Sequence, residues 1–351
     1  MKNPTAISQP FGRLPDGRSA QLVTLGQPGG LEVDVTDFGG IVTAIRVPGG
    51  AGGATDVALG FATLDEYLRG HPYFGAITGR VAGRIAGAAF ELDGRRYPLA
   101  TNDAPNHLHG GRVGFDKQLW RVEAVTADSL RLSHVSPDGD EGYPGTLAVV
   151  VEYRVEQGTT LAMRYEATTD RSTPLCLTNH TYFNIDGEGT GDALGHTLQI
   201  RADAFAVTDE RLAPLGRVAP VEAAGNDFRE PARLRERLGR LWQQHGDYYL
   251  LNSRRAGTEP AASLWSGDGS LRLDVLTTEP GVQFYAGRFL DGTLRGKRGR
   301  PYVPYGGICL ECQKFAGGLG RPGFAPLVLR PGETARGEIR YRFERTVSGG
   351  T

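Results

Sequence analysis

Residues 147–168 read LAVVVEYRVEQGTTLAMRYEAT. Valine, leucine and tyrosine recur at every second position on both sides of a glycine-containing break, and this period of two is typical of β-strands. The segment therefore predicts two strands, Leu147–Val155 and Thr160–Thr168.

Runs of the same kind recur along the chain, separated by clusters of Gly, Pro, Asp and Asn. Helical signals are few: Thr63-Leu64-Asp65-Glu66 forms a capping-box pattern, and Pro231 predicts the first turn of a helix through Leu234, Leu238 and Leu241. Many strands with a few short helices predict an all-β fold, a large antiparallel β-sandwich. The other predicted strands are Leu31–Val35, Ile41–Val47, Leu130–Val135, Thr197–Val207, Leu271–Thr277, Val282–Tyr285 and Gly337–Phe343.

Length and charge limit the organisation and the partners of the chain. No linker-like stretch divides the 351 residues, so we expect one domain over 1–351. The net charge of −1 gives no electrostatic reason to expect a nucleic acid, an anionic membrane or a polyphosphate as partner.

Cysteine usage and apolar runs indicate a cytoplasmic protein. An odd, low count of three cysteines, Cys176, Cys309 and Cys312, argues against a disulfide framework and fits a reducing compartment. No apolar run is long enough for a transmembrane helix, and residues 1–11 lack the apolar core of a signal peptide.

The segment Gly307-Ile308-Cys309-Leu310-Glu311-Cys312-Gln313 contains a carboxylate in an apolar strand. Side chains alternate across a strand, so Cys309, Glu311 and Gln313 share one face. Burial there would raise the pKa of Glu311 towards that of a useful general base. Taken alone, the segment is more typical of a Glu that is paired with an Arg or exposed on the sheet face.

Two further segments contain histidines. The first is the segment Leu175–Asn184, in which the side chains of Thr178, His180 and Tyr182 share a face. His180 is suited to donate a proton near neutral pH. Alternatively, it is a core histidine hydrogen-bonded to the backbone. His107 and His109 form an H-x-H that could be half a metal site or a loop that places one His in a pocket.

Three other patterns are interpreted as structural. Cys309 and Cys312 are three apart, so in a strand their sulfurs diverge, which disfavours a zinc or redox site. Glycines at 75, 79, 83 and 87 predict turns and close backbone approach. Ser136–Gly145 is acidic but lacks EF-hand spacing, and predicts a solvated turn.

Taken together and in order, these segments resemble the aldose 1-epimerase (galactose mutarotase) family. The resemblance spans nearly the whole chain. Its motifs are TDVALGF (55–61), YFG (73–75), GRVAGRIA (79–86), LHGG (108–111), GFDK (114–117), SPDG (136–139), EGYPG (141–145), LTNHTYFN (177–184), GVQFY (281–285), LDGT (290–293) and LE (310–311).

The resemblance implies a β-sandwich with an open sugar cleft and a cofactor-free, metal-free isomerase. Glu311 stands where the family has its general base and His180 where it has its general acid. His109, Arg84, Asp247 and Gln283 match positions that bind the sugar. The implied partner is a free monosaccharide such as galactose, glucose or a related aldose, and the implied assembly is a monomer or homodimer. Two departures are Gly83, where the family commonly has Asn, and Cys312, where it commonly has Thr.

The implied reaction is interconversion of α and β anomers by opening of the hemiacetal ring. It requires Glu311 ionised and His180 protonated together, which predicts a bell-shaped pH profile. Three alternatives stay open. They are a metal isomerase using His107, His109, His180 and Glu311, a glycoside hydrolase or lyase using Asp247 and Glu311, and a non-catalytic sugar-binding protein.

Overall fold

A computed structural model of the chain describes residues 7–49, 53–238, 246–252 and 259–346. Within them the chain is almost entirely β-structure. The strands are β1 (Ile7–Arg13), β2 (Ser19–Gly26), β3 (Glu32–Thr36), β4 (Val42–Val47), β5 (Thr55–Asp56), β6 (Ile77–Thr78), β7 (Arg84–Ile85), β8 (Ala89–Leu92), β9 (Arg95–Pro98), β10 (His107–Leu108), β11 (Arg121–Val125), β12 (Ser129–Ser136), β13 (Leu147–Glu156), β14 (Thr160–Thr169), β15 (Thr173–Pro174), β16 (Thr178–Asn179), β17 (Tyr182–Phe183), β18 (Thr197–Ile200), β19 (Ala204–Thr208), β20 (Pro214–Pro220), β21 (Ala232–Arg233), β22 (Tyr248–Leu250), β23 (Ala262–Trp265), β24 (Leu271–Thr277), β25 (Gly281–Tyr285), β26 (Ile308–Gln313), β27 (Val328–Leu329) and β28 (Ala335–Arg345).

Helices are short in the described residues. They comprise α1 (Leu64–Leu68), α2 (Leu234–Arg237) and single 3₁₀ turns. The capping box predicted at the start of α1 is present: the Glu66 carboxylate accepts hydrogen bonds from the Thr63 N–H and hydroxyl at 3.0 and 2.7 Å. None of the described helices is long and apolar enough to cross a lipid bilayer.

The strands form a nine-stranded sheet in the order β11-β12-β13-β14-β28-β24-β23-β18-β21 and a six-stranded sheet in the order β17-β26-β25-β22-β19-β20. A five-stranded sheet, β1 to β5, and several two-stranded ribbons complete the described part. Neighbouring strands pair antiparallel, as in the β13–β14 register from Leu147 opposite Thr169 to Glu156 opposite Thr160. The predicted antiparallel all-β fold is confirmed.

The hydrophobic core lies between the nine-stranded and six-stranded sheets. The ring of Phe183, on β17, lies 5.0 Å from that of Tyr341 and 6.4 Å from that of Phe343, both on β28. On β13 every second residue from Leu147 to Val155 is buried, so the period of two seen in the sequence is the inward face of the sheet.

Strand β26 is the strand on which the cleft described below is built. It lies between β17 and β25, and all six of its residues are buried. Cys312 packs into the large core between the sheets, whereas Cys309 packs into a second apolar cluster with Tyr182. The predicted divergence of the two sulfurs is therefore confirmed, and all three cysteines are unpaired.

Two sequence-based element predictions are wrong. Thr197–Val207 forms two strands, β18 and β19. Between them the Arg201 N–H donates to Ala261 O and the Asp203 N–H donates to Asn252 Oδ1, and these hydrogen bonds interrupt the strand. Pro231 does not open a helix: it precedes β21, and α2 starts at Leu234. Leu238 is buried, and Leu241 lies outside the described residues.

The glycine-rich run 75–87 makes close backbone contacts, as predicted. A Cβ on Gly79 would lie 2.5 Å from the Phe115 ring, and one on Gly75 would lie 2.0 Å from Val42 O. Gly75, Gly83 and Gly87 adopt positive φ. These positions allow the chain to turn several times beneath the cleft.

Arg80, in the same run, is buried and braces the segment Ser136–Gly145. Its guanidinium donates to the carbonyls of Ser136, Pro137 and Pro144 at 2.8–3.0 Å. The predicted solvated turn therefore describes only the tip of the segment, residues 137–139, since Ser136 and residues 143–145 are buried.

We predict that Arg80→Met lowers the free energy of unfolding by roughly 3 kcal/mol or more, because the buried carbonyls of Ser136 and Pro144 and the partly buried carbonyl of Pro137 lose a charged donor. Urea denaturation measures the change, with Arg131→Met, an exposed arginine on β12, as the matched control. A loss no larger than that of the control would contradict the bracing role.

Candidate active site

A cleft with a cavity volume of about 210 Å³ lies over the six-stranded sheet, and every strand of that sheet contributes lining residues. Its floor includes Gln283 of β25 with Glu311 and Gln313 of β26. Its walls include residues 72–73, 83–84 and 108–109, with Thr208, Leu212 and Pro214. All six residues predicted to act on a sugar line it. They are Arg84, His109, His180, Asp247, Gln283 and Glu311.

Glu311 and His180 face each other at the bottom of the cleft. The His180 Nε2 atom lies 3.5 Å from Glu311 Oε1, and the two side chains are only 5% and 3% exposed. The other carboxylate oxygen, Glu311 Oε2, is buried without a hydrogen-bond partner among the described residues. This oxygen is therefore available to accept a hydrogen bond or a proton from a bound molecule.

The imidazole of His180 is held by aromatic and sulfur contacts. It stacks on Tyr182 at a centroid distance of 5.1 Å and on Tyr73 at 5.7 Å. Its Nδ1 atom lies 3.7 Å from Cys309 Sγ. With the ring plane fixed, Nε2 points towards Glu311 rather than to solvent.

Burial sets the charges of the pair. It raises the pKa of Glu311 to about 8, an effect that the nearby Arg84 charge partly opposes. It also lowers the pKa of His180 to about 4. Burial therefore disfavours the charged form of both groups when no sugar is bound. The requirement that Glu311 be ionised and His180 protonated in the same free enzyme stays a prediction, and burial opposes both of these charges.

The two histidines of the H-x-H motif are separated. His109 lines the cleft, where its Nδ1 accepts the Gly83 N–H at 3.2 Å, which leaves Nε2 to carry the proton. His107 points into the core, where Nδ1 contacts Ala100 O at 2.7 Å and Nε2 contacts the Tyr143 hydroxyl at 2.8 Å. Of these two histidines, only His109 can contact a molecule bound in the cleft.

Arg84 is oriented by a residue that sequence analysis missed. Arg84 lies on a ribbon formed by β7 and β10. Its Nε donates to Asp103 Oδ2 at 2.8 Å. The ion pair is half-exposed, so it contributes geometry more than stability. One side of the guanidinium is fixed by Asp103, and the rest faces the cleft.

Asp247 and Gln283 are the other two predicted sugar-binding residues that line the cleft. Asp247 is buried, and burial raises the pKa of its carboxyl to about 7, whereas the Asn226 amide, donating at 2.8 Å to Oδ2, lowers it. Gln283 lies directly across from Glu311 in the β25–β26 register, and its Nε2 donates to Phe284 O at 2.9 Å.

The sequence profile of the family described as aldose 1-epimerase matches residues 21–342. This chain belongs to the aldose 1-epimerase family. Galactose mutarotase from Sus scrofa is 44% identical over 323 residues, covering 92% of this chain and 94% of that protein. Aldose 1-epimerase from Escherichia coli K12 is 34% identical over 337 residues, covering 94% and 96% of the two chains.

Solved structures agree with this membership of the aldose 1-epimerase family. An aldose epimerase homologue from C. elegans superposes with a TM-score of 0.87 at 28% identity, covering 93% of this chain and all of the other. Galactose 1-epimerase from Lactobacillus acidophilus gives a TM-score of 0.82 at 26% identity, covering 97% and 99% of the two chains. The sheets described above are therefore those of the mutarotase β-sandwich.

The chemistry of the cleft also resembles a metal site. Ligand atoms of His109, His180 and Glu311 lie within 4.8 Å of one another. The fourth residue of the proposed metal set, His107, is excluded because both of its ring nitrogens contact groups in the core. Among the described residues, this cluster would offer a metal three protein ligands.

Three residues of the site carry no isolated sequence signal. Tyr73, at positive φ, packs on both His109 and His180, at ring distances of 4.5 and 5.7 Å. Asp103 and Asn226 hold Arg84 and Asp247 from distant parts of the chain. Tyr73 does fall within the family motif YFG, but the other two lie outside the quoted motifs.

We predict that Glu311→Gln makes the protein more stable at pH 8.5, by about 1 kcal/mol or more. The pKa of Glu311 is about 8 in the fold against 4.5 in the unfolded chain, so the unfolded state is favoured progressively as pH rises through this window. Below pH 4.5 the carboxyl is protonated in both states, and the advantage of the amide disappears.

Urea denaturation at pH 4 and at pH 8.5 measures the difference in the free energy of unfolding between Glu311→Gln and the wild type at each pH. Glu166→Gln, which replaces an exposed carboxylate, is the control and should show no such gain. Equal or lower stability of Glu311→Gln at pH 8.5 would show that Glu311 is not held in an unfavourable buried position.

Proposed function

We propose that this aldose 1-epimerase interconverts the α and β anomers of free aldoses such as galactose or glucose by acid–base ring opening. The observation that carries the proposal is the buried Glu311–His180 pair, whose facing atoms are 3.5 Å apart. The gap is too long for a strong hydrogen bond and leaves both groups free to approach two oxygens of one hemiacetal.

Binding first places the sugar over the pair. Arg84, His109, Asp247 and Gln283 supply donors and acceptors around the cleft, which suits a ring of hydroxyls. The proton that rests on Glu311 in the empty cleft passes to His180 as Arg84 and the sugar hydroxyls stabilise the carboxylate. The reactive pair is then Glu311 carboxylate with His180 imidazolium.

Ring opening moves two protons. Glu311 takes the proton of the C1 hydroxyl as the C1–ring oxygen bond breaks, and His180 gives its proton to the ring oxygen. The product is the open-chain aldehyde. Rotation about C1–C2 presents the other carbonyl face, and reclosure returns each proton by the reverse path, so the enzyme ends in its starting state.

We further propose that the reaction needs no metal and that the protein works in the cytoplasm. Proton transfer at both oxygens suffices for a step without redox change. All three cysteines are unpaired, which fits a reducing compartment.

We predict that Glu311→Gln and His180→Asn each lower kcat/KM by about 10²–10⁴-fold, because each removes one positioned proton-transfer group. Polarimetry of freshly dissolved pure α-galactose and α-glucose measures the rate, with Glu166→Gln as the control. Near-wild-type mutarotation in Glu311→Gln would refute its role as base. If His180→Asn weakened binding but kept turnover of bound sugar, His180 would be a binding residue instead.

The pH dependence of kcat/KM should be bell-shaped, with limbs near the pKa values of about 4 for His180 and about 8 for Glu311. The active pair holds one proton, so activity falls when it gains a second proton at low pH and when it loses its proton at high pH. A rate that keeps rising above pH 9 would show that this shared proton is not used.

We predict unchanged activity after dialysis against a chelator, with no stoichiometric metal found by elemental analysis. Loss of activity on dialysis and its recovery with added zinc would instead favour a metal isomerase on His109, His180 and Glu311. New reducing ends from an oligosaccharide would favour the hydrolase alternative.

A further inference from the structure

Gln313 is a buried polar residue in the cleft to which the mechanism above gives no role. It is the last residue of β26, is 2% exposed and lines the cleft beside Gly83 and Ala316. Its side-chain oxygen, Oε1, is buried without a hydrogen-bond partner among the described residues. Its backbone oxygen, by contrast, accepts the Tyr248 hydroxyl at 3.0 Å.

An amide in this state is unfavourable for the fold. A buried acceptor without a partner costs about 1–3 kcal/mol, and such groups are rare in folded proteins. An apolar side chain of the same size would avoid this loss at the end of a fully buried strand. The unpaired Oε1 of Gln313 therefore indicates that a molecule bound in the cleft donates a hydrogen bond to it.

The position of Gln313 relative to Glu311 fits one pyranose ring. The two residues are two apart on β26, so they face the same side of the strand about 7 Å from each other. A pyranose ring with C1 at Glu311 is wide enough to bring one of its remote hydroxyls to Gln313.

Gly83 leaves room above this amide. A Cβ built on Gly83 would lie 3.3 Å from Gln313 Nε2 and 3.4 Å from the Ala316 methyl group, closer than most side-chain contacts allow. The departure at Gly83 therefore removes a side chain from beside the Gln313 amide.

We propose that Gln313 is a substrate-binding residue that selects among aldoses, its amide exchanging hydrogen bonds with a ring hydroxyl remote from C1. This rests on the proposed function. A side-chain amide both donates and accepts hydrogen bonds, and a sugar hydroxyl can serve as the partner in either role. A fixed amide of this kind favours the epimer that places its hydroxyl within reach, because the other epimer leaves the buried oxygen unpaired.

The test is Gln313→Met, which keeps the volume and removes the amide. We expect KM for the preferred aldose to rise about tenfold with kcat nearly unchanged, because the lost contact serves bound sugar before and during ring opening. The melting temperature should stay the same or rise, since an unpaired buried acceptor is removed. Gln199→Met, on β18 and outside the cleft, is the matched control and should leave KM unchanged.

Deoxygalactoses lacking the hydroxyl at C2, C3, C4 or C6 identify the contact. One of them should lose affinity with the wild type but lose nothing further with Gln313→Met, which is the signature of a shared contact. Active Gln313→Met with wild-type KM for every sugar would overturn the proposal, as would a lower melting temperature with unchanged KM.

Failure of the proposed function is distinguishable from failure of this inference. If the wild type does not speed mutarotation, the proposed function is wrong. Calorimetric titration with galactose then still tests Gln313, with a tenfold weaker Kd expected for Gln313→Met and an unchanged Kd overturning the assignment.

Discussion

The desolvation of one carboxyl and one imidazole in the same cleft is the constraint on which the rest of the site depends. Water would hold Glu311 ionised and leave about a quarter of His180 protonated at neutral pH. Burial opposes both charges, so the pair retains a single proton that either group can hold. A general base and a general acid are thereby made from two side chains without a cofactor.

The β-sandwich is what makes such burial possible. Strand β26 is covered on both faces and flanked by β17 and β25, so Glu311 cannot turn away to solvent. His180 reaches it from the segment before β17, with its ring fixed between Tyr73 and Tyr182. The fold contributes rigidity here, and the unfavourable burial of Glu311 is offset by the large core between the two main sheets.

Much of this arrangement could be predicted from the sequence, because it follows from local periodicity. The alternation over Ile308–Gln313 placed Glu311 and Gln313 on one face and separated Cys309 from Cys312. The family motifs placed His180, His109 and Arg84 in the same cleft. The break between β18 and β19 could not be predicted, because it is made by Ala261 and Asn252, more than forty residues downstream. The partners Asp103 and Asn226 and the charge state of the pair also depend on three-dimensional packing.

The most direct test of the paired-proton mechanism is a crystal structure of the wild-type protein with galactose bound. We predict a Glu311 oxygen within hydrogen-bond distance of the C1 hydroxyl and His180 Nε2 within the same distance of the ring oxygen, about 2.6–3.2 Å in each case. A sugar bound with its C1 hydroxyl and ring oxygen away from this pair would contradict the mechanism.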